Sequence, residues 1–162
     1  MKRFISFLLC LISIVSFFEF NANATNTEEF VPYMVDFTLT TEDGFDSNEK
    51  NTRVSGLIYS YALNLSKNGT TLHITGLTNC TTEVVKCGFK NLTIQRRKSS
   101  SDSWSDYYEY GDVYIESTGA NLNTTLVVAS GYQYRISCKH YAKKSLLVTQ
   151  TIANTSGIVT VS

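Results

Sequence analysis

The chain has 162 residues, of which 43% are hydrophobic and 17% charged, and its formal net charge is zero. This length and hydrophobic content suit one domain with a sizeable core, and they exclude a chain that is disordered throughout. The balanced charge and the lack of any nucleic-acid-binding signature argue against a protein that binds nucleic acid.

Residues 1–24 have the pattern of a secretory signal peptide. Two basic residues precede an apolar run from Phe4 to Phe18, and small residues lead up to Ala24. The pattern predicts export with cleavage after Ala24, because the run is too short to span a bilayer comfortably. We therefore expect an extracellular mature protein that has no transmembrane segment once the signal is removed.

Residues 25–52 form an acidic leader with seven acidic residues and one basic residue, Lys50. One apolar patch, Val31 to Phe37, precedes a stretch rich in charge and in residues that favour turns. We expect a mostly irregular segment with at most one strand or short helix docked on the rest. Residues 53–162 then form the folded domain, with eleven basic and six acidic residues.

The domain reads as a series of short strands split by turns, since apolar and polar residues alternate in most segments. The clearest alternation spans Tyr132 to Tyr141, where Tyr134, Ile136 and Cys138 share one face. About seven strands spaced near ten residues apart predict an all-β sandwich, with a small barrel as the alternative. The expected strands are 57–66, 71–78, 86–98, 105–115, 122–129, 132–141 and 146–152, and 158–161 extends the last.

The segment Val128 to Tyr134 resembles the corner before the sixth strand of fibronectin type III and related immunoglobulin-like domains. In that corner an apolar residue precedes a tyrosine by six positions, and a glycine lies between them. The resemblance implies an immunoglobulin-like, fibronectin type III-like sandwich. It also implies that the Tyr134 hydroxyl bonds back to the backbone of the turn.

Residues 53–161 as a whole resemble a family of short secreted proteins of Gram-positive, clostridia-like bacteria that is a domain of unknown function. The shared features are an opening basic residue, a Ser/Tyr-rich strand, a glycine hairpin, Trp104 in a serine-rich turn, and Gly131 to Ile136 before a strand that ends at Lys143. The resemblance implies export from a bacterium and a compact β domain. It implies no activity, and the cysteines are not part of the family pattern.

Three cysteines remain after the signal peptide, which allows one bridge with three possible pairings. The short separation of Cys80 and Cys87 favours that pair. Cys80 with Cys138 is the alternative, because sandwich domains often link their two sheets there. No CxxC motif occurs and the two histidines are far apart in sequence, so we expect no metal and no cofactor. His140 is expected at the rim of its strand.

An aromatic cluster is the first candidate ligand site. Its members are Trp104, Tyr107, Tyr108, Tyr110 and Tyr114, interleaved with acidic residues, and flat rings of this kind stack on sugars. Because Tyr107 and Tyr108 are neighbours, we expect them to face opposite sides of a strand. The alternative is that the rings form cross-strand pairs within a hairpin. All the acids lie on one short stretch, which disfavours a glycosidase pair, so we expect no enzyme.

Two basic groups form the second candidate site. The first is Arg96, Arg97 and Lys98, and the second is Lys139, Lys143 and Lys144. In sandwiches the third and sixth strands are neighbours, so the groups are expected to join into one patch for teichoic acids, acidic glycans or an anionic membrane surface. The alternative is that these lysines only protect exposed strand edges.

The sequence thus predicts a secreted, non-enzymatic module that binds an extracellular or cell-envelope ligand, either a glycan or an anionic polymer. The alternative is a structural protein that self-associates, with the aromatic residues and the leader between subunits. The oligomeric state stays open on the sequence alone.

Overall fold

The computed structural model describes residues 30–41, 52–53 and 55–162, and at 52–53 it describes the backbone alone. The predicted signal peptide, with its cleavage site after Ala24, and the leader stretches 25–29 and 42–51 lie outside the described residues.

The described residues form ten β-strands in two sheets and contain no helix. Sheet A has the spatial order β1-β7-β4-β3-β2, and sheet B has the order β10-β8-β5-β6, with β9 also paired to β8. Sheet A consists of β1 (Tyr33–Thr40), β2 (Thr52–Arg53), β3 (Ile58–Asn68), β4 (Thr71–Cys80) and β7 (Gly119–Val127). Sheet B consists of β5 (Lys86–Arg97), β6 (Ser105–Ile115), β8 (Tyr132–Lys143), β9 (Thr149–Thr155) and β10 (Val159–Val161).

Within the described ranges every strand pairing is antiparallel, and neither sheet closes into a barrel. The all-β prediction is confirmed, and the two open sheets agree with a sandwich rather than the barrel alternative. The seven strands expected in the domain correspond to β3 to β9. The expected extension at 158–161 corresponds to β10, which pairs with β8 as β9 does, and the additional strands are β1 in the leader and the short β2.

The core lies between the two sheets because alternate residues of each strand point inward. Leu72 and Ile74 of β4 face Phe89 and Ile94 of β5 in one buried apolar cluster, and none of the four is exposed to solvent. Burial of an aliphatic or aromatic side chain of this size contributes about 1.5–3 kcal/mol, so this cluster is what holds the sheets together. The alternation predicted for β8 is confirmed, since its buried positions recur at every second residue.

The apolar patch of the leader forms β1, which pairs with β7 at the edge of sheet A. Phe37 and Leu39 pack against the core cluster, while Tyr33, Met34 and Val35 are exposed. The expectation of at most one docked strand therefore matches β1, and that strand is a full member of the sheet.

Bulges in the β5–β6 pairing change which way the β6 tyrosines point. Ile94 pairs with Tyr108 and Gln95 pairs with Asp106, so Tyr107 is an extra residue between the two pairs. An extra residue breaks the period-2 alternation of a strand. Tyr107 and Tyr108 therefore both pack against the core, and the prediction that they face opposite sides is wrong.

The turn before β8 has the geometry that its sequence implies. Tyr134 is fully buried, and its hydroxyl donates a 2.7 Å hydrogen bond to the carbonyl oxygen of Ala129. This bond ties the β7–β8 turn to the core, as expected of a tyrosine corner. The finer assignment to the fibronectin type III or immunoglobulin-like class stays a prediction.

Candidate functional site

The outer face of sheet B carries a row of basic side chains along β5 and β8. Because Tyr134, Ile136 and the alternate residues that follow them on β8 are buried, Arg135, Lys139 and Lys143 lie on the opposite, outer face. The neighbouring strand β5 adds Lys86, Lys90 and Arg97. We call this set the basic stripe, and its members are Lys86, Lys90, Arg97, Arg135, Lys139 and Lys143.

Two lysine pairs lie directly opposite each other within the stripe. Lys86 pairs with Lys143, and Lys90 pairs with Lys139, across the antiparallel β5–β8 ladder. Like charges directly opposite each other destabilise a sheet. The stripe ends at Arg97, which pairs with Gln133. At about 3.3 Å per residue it extends for about 33 Å along the strands.

Few carboxylates neutralise the stripe. Within the described residues the ion pairs are Lys86 with Glu116, at 3.8 Å, and Lys144 with Glu83. Asp106 on the neighbouring β6 instead accepts a 2.8 Å hydrogen bond from the amide of Gln95. In the described part of the chain, five of the six basic residues of the stripe thus have no carboxylate within ion-pair distance.

Asp112, also on β6, is held by local hydrogen bonds. It accepts a 2.6 Å bond from the Tyr114 hydroxyl and a 2.9 Å bond from the backbone N–H of Asn91. These bonds, that from Tyr114 foremost, lower the pKa of Asp112, and the charge of Lys90 adds to the effect. Asp112 therefore stays ionised at the border of the stripe.

At one end of the stripe two guanidinium groups stack on Trp104. The guanidinium carbons of Arg97 and Arg135 lie 4.5 and 4.4 Å from the centre of the indole ring. Each arginine also donates a 2.8 Å bond from Nε to a glutamine, Arg97 to Gln133 and Arg135 to Gln95. Two cations from neighbouring strands are thereby fixed close together, which prepares a site for an anion.

Farther along the same face, two tyrosines support the lysines. The rings of Tyr114 and Tyr141 contact each other with centroids 5.0 Å apart. Lys86 Nζ lies 5.8 Å from the centroid of Tyr114, and Lys90 Nζ lies 5.5 Å from that of Tyr141. Partial burial and the bond to Asp112 raise the pKa of Tyr114, so its hydroxyl stays neutral.

The predicted aromatic site is largely turned toward the protein. Tyr107 contacts the buried Tyr134 at 5.6 Å, and Tyr108 contacts Tyr110 edge-on at 4.9 Å. Tyr110 also meets Phe37 of the leader strand, with ring centroids 5.7 Å apart. Across the β5–β6 hairpin, Tyr108 pairs with Ile94. Of the predicted aromatic residues, Trp104 and Tyr114 lie beside the basic stripe.

The three predicted basic residues at the end of β5 lie in different surroundings. Arg96 lies between two tyrosines, with its guanidinium carbon 4.2 Å from the ring centre of Tyr107 and 4.7 Å from that of Tyr132. Arg97 lies on Trp104, and Lys98 is exposed in the turn that follows β5. Arg97 is therefore the member of this group that joins the stripe.

The third and sixth predicted strands are neighbours, as β5 and β8, but the two predicted basic groups do not abut. The strands are antiparallel, so Arg97 lies opposite Gln133 while Lys143 lies opposite Lys86 at the other end. Lys90 and Arg135 fill the space between them. Sequence reasoning did not select these two residues, although the alternation of β8 had already placed Arg135 on the polar face.

His140 lies in the core rather than at the rim, so that prediction is wrong. Its ring is fully buried, with Nδ1 2.8 Å from Thr78 Oγ1 and Nε2 3.2 Å from Asn154 Nδ2. Burial lowers the pKa of His140 to about 3, so the ring is neutral. The residue bridges the sheets and does not face solvent as a catalytic base would.

Cys80, Cys87 and Cys138 are all buried and unbridged in the structure. The interaction between the thiols of Cys80 and Cys87 raises the pKa of Cys80, to which burial adds, and lowers the pKa of Cys87. Cys138 lies apart from them, and burial raises its pKa to about 12.

No family model matches this chain, and no curated protein and no solved structure is similar enough to count as a match. Among the described residues, no group of three or more His, Cys, Asp and Glu side chains is arranged to hold a metal ion. No helix in that part of the chain has the length and apolar character needed to cross a membrane.

Proposed function

We propose that this protein is a secreted, non-enzymatic β-sandwich module that binds a linear anionic polymer outside the cell or at the cell envelope. The ligand lies along the basic stripe, and its carboxylate or phosphate groups contact the lysines and the two arginines. Acidic glycans and teichoic acids have this chemistry.

The observation that carries the proposal is the pair of lysine–lysine contacts across β5 and β8, Lys86 with Lys143 and Lys90 with Lys139. Such pairs cost stability unless an anion offsets their repulsion. An anionic polymer that runs along the strands would offset the repulsion of both pairs at once, whereas Glu116 lies near Lys86 alone. Arg97 and Arg135, which both stack on Trp104, likewise place two positive charges close together at the other end of the stripe.

The test is binding of the mature protein to three immobilised polymers: polygalacturonate, which carries carboxylates, a teichoic acid, which carries phosphates, and neutral dextran. We expect retention on at least one anionic polymer, loss of retention at high salt, and none on dextran. Lys139→Gln should weaken binding several-fold. Lys67→Gln, which removes an exposed lysine from sheet A, is the matched control and should bind as the wild type does.

Retention on dextran equal to that on the anionic polymers would contradict the proposal. So would equal effects of Lys139→Gln and Lys67→Gln, because the stripe would then have no special part in binding.

Self-association through β1 is a second candidate, favoured by one specific observation. Val31 and Val35 are 76% and 62% exposed, and Phe30, Tyr33 and Met34 beside them are exposed as well. Among the described residues β1 pairs only with β7, so its other edge is open to a further strand. Light scattering of the wild type and of Val35→Lys tests this candidate. It predicts an oligomer that the variant disrupts, and a monomer at every concentration would contradict it.

A further inference from the structure

Cys80 and Cys87 lie at the place where the chain passes from one sheet to the other. Cys80 is the last residue of β4 in sheet A, and Cys87 is the second residue of β5 in sheet B. Cys87 is fully buried and Cys80 is 5% exposed. Both residues belong to one buried apolar cluster. Two residues before Cys80, the Thr78 hydroxyl donates a 3.3 Å bond to the carbonyl oxygen of Gly88, the residue after Cys87, so the two cysteines lie at the same end of the core.

The backbone holds both residues in these positions. The Cys80 N–H donates a 2.8 Å bond to the carbonyl of Thr118, and Cys87 lies in the β5 ladder opposite Ala142. The connection between the strands is fixed as well, since the Val85 N–H donates a 2.8 Å bond to the carbonyl of Lys143. These backbone bonds hold Cys80 and Cys87 at the two ends of one short, fixed connection.

We propose that Cys80 and Cys87 form a disulfide in the mature protein, that this bond joins sheet A to sheet B, and that Cys138 keeps its thiol. The pairing is independent of the proposed polymer binding, because neither residue belongs to the basic stripe.

Cys138 is too distant to compete for either partner. Cys87 lies opposite Ala142 on β8, and Cys138 is four residues farther back along that strand. Four residues of a strand span about 13 Å, whereas bridged cysteines have Cα atoms less than about 7 Å apart. Gly76 packs against the ring of Phe89, and Thr78 bonds to Gly88, so β4 continues toward Cys87 and Cys80 lies on the side of Ala142, away from Cys138. The alternative pairing of Cys80 with Cys138 would thus require a different register.

The oxidant is a small disulfide such as oxidised glutathione, or a thiol–disulfide exchange protein of the export pathway. One cysteine thiolate attacks the donor disulfide, forms a mixed disulfide and releases one donor thiol. The second thiolate attacks the protein sulfur of the mixed disulfide and releases the other donor thiol. Two protein thiols are oxidised and one donor disulfide is reduced. Because both residues are buried, we expect this exchange to occur while the chain folds.

The test is refolding of the reduced, unfolded mature protein in a mixture of reduced and oxidised glutathione, followed by alkylation and tryptic digestion without reduction. Trypsin cleaves after lysine and arginine, so each cysteine falls in its own peptide: residues 68–86, 87–90 and 136–139. Mass spectrometry can then distinguish all three pairings. We expect peptide 68–86 linked to 87–90, and peptide 136–139 alkylated as a free thiol.

Cys138→Ser is the matched control and should give the same linked pair, whereas Cys87→Ser should abolish it. The proposal would be overturned if the main disulfide-linked product of the wild-type protein contained peptide 136–139. Full alkylation of all three cysteines in the folded product would overturn it as well.

Discussion

Thr78 of sheet A and His140 of sheet B are joined by a 2.8 Å hydrogen bond across the core. The Nδ2 group of Asn154 can only donate, and its Oδ1 already accepts from the backbone N–H of Thr155, so Nε2 of His140 accepts from Nδ2 and Nδ1 carries the proton. Nδ1 then donates to Thr78 Oγ1, whose own hydrogen points to the carbonyl oxygen of Gly88 at 3.3 Å. Within this row of hydrogen bonds from Asn154 to Gly88, each of these polar atoms has a partner, provided the imidazole is neutral.

Stability should therefore fall when the pH drops below the ordinary pKa of histidine. In the unfolded chain His140 titrates near 6.5, whereas in the folded protein its pKa is about 3. Above pH 6.5 both states are neutral and the full stability is present. Between these two pKa values only the unfolded chain binds the proton. The free energy of unfolding therefore falls by up to about 1.4 kcal/mol for each unit by which the pH drops.

Urea unfolding between pH 7.5 and 5 measures this loss. We expect His140→Gln to be less stable at pH 7.5 and to lose less with falling pH. The exposed His73 offers the control His73→Gln, which should retain the wild-type slope. Equal slopes for all three proteins would show that His140 titrates normally.

Tyr134→Phe should destabilise the protein although the ring is kept. The substitution removes the bond to Ala129 and leaves that carbonyl without its partner, which costs about 1–3 kcal/mol. Tyr132→Phe keeps the ring that stacks with Arg96 and should change the free energy of unfolding much less. Thermal melts of the two variants compare them, and an unchanged melting temperature for Tyr134→Phe would exclude a structural role for the bond.

Lys139→Glu should raise stability while it abolishes polymer binding. The substitution turns the like-charge pair with Lys90 into an opposite-charge pair, and such a change contributes about 0.2–1 kcal/mol on a sheet face. Measured on the same sample, the free energy of unfolding should therefore rise while the fraction of protein retained on the polymer falls. If Lys139→Glu were more stable and were still retained on the polymer as strongly as the wild type, the Lys90–Lys139 pair would have no part in binding.

Reduction of the Cys80–Cys87 disulfide should lower the free energy of unfolding by about 2–3 kcal/mol, the value expected for so short a loop. Urea unfolding with and without a reducing agent measures the difference. The Cys80→Ser and Cys87→Ser double variant should match the reduced protein and be insensitive to the reducing agent. An unchanged midpoint on reduction of the wild type would speak against a bond in the native state.

The strands could be predicted from sequence because each buries one face, so apolar residues recur at every second position. That pattern placed Ile136 and Tyr134 correctly, and the glycine-containing corner indicated the Tyr134 hydrogen bond. The same pattern wrongly placed Tyr107 and Tyr108 on opposite faces of β6. A bulge inserts one residue into the strand there, and the spacing of apolar residues does not reveal it.

The site was harder to predict because it depends on register. Alternation places Arg135 and Lys139 on one face, but only the β5–β8 pairing shows that Lys90 lies opposite Lys139. The stacking of Arg97 and Arg135 on Trp104 likewise joins the β5–β6 hairpin, which carries Arg97 and Trp104, to β8. For His140, the alternation correctly predicted the inner face of β8. Its full burial could not be predicted, because it depends on the hydrogen-bond partners Thr78 and Asn154, which lie on other strands.

The most direct measurement is an NMR titration of the isotopically labelled mature protein with short oligomers of polygalacturonate or teichoic acid. Binding along the outer face of sheet B predicts amide shifts concentrated on β5 and β8, from the Lys86–Lys143 row to the turn at Trp104. Shifts confined to β1 and β7, or no shifts with either oligomer, would contradict the account.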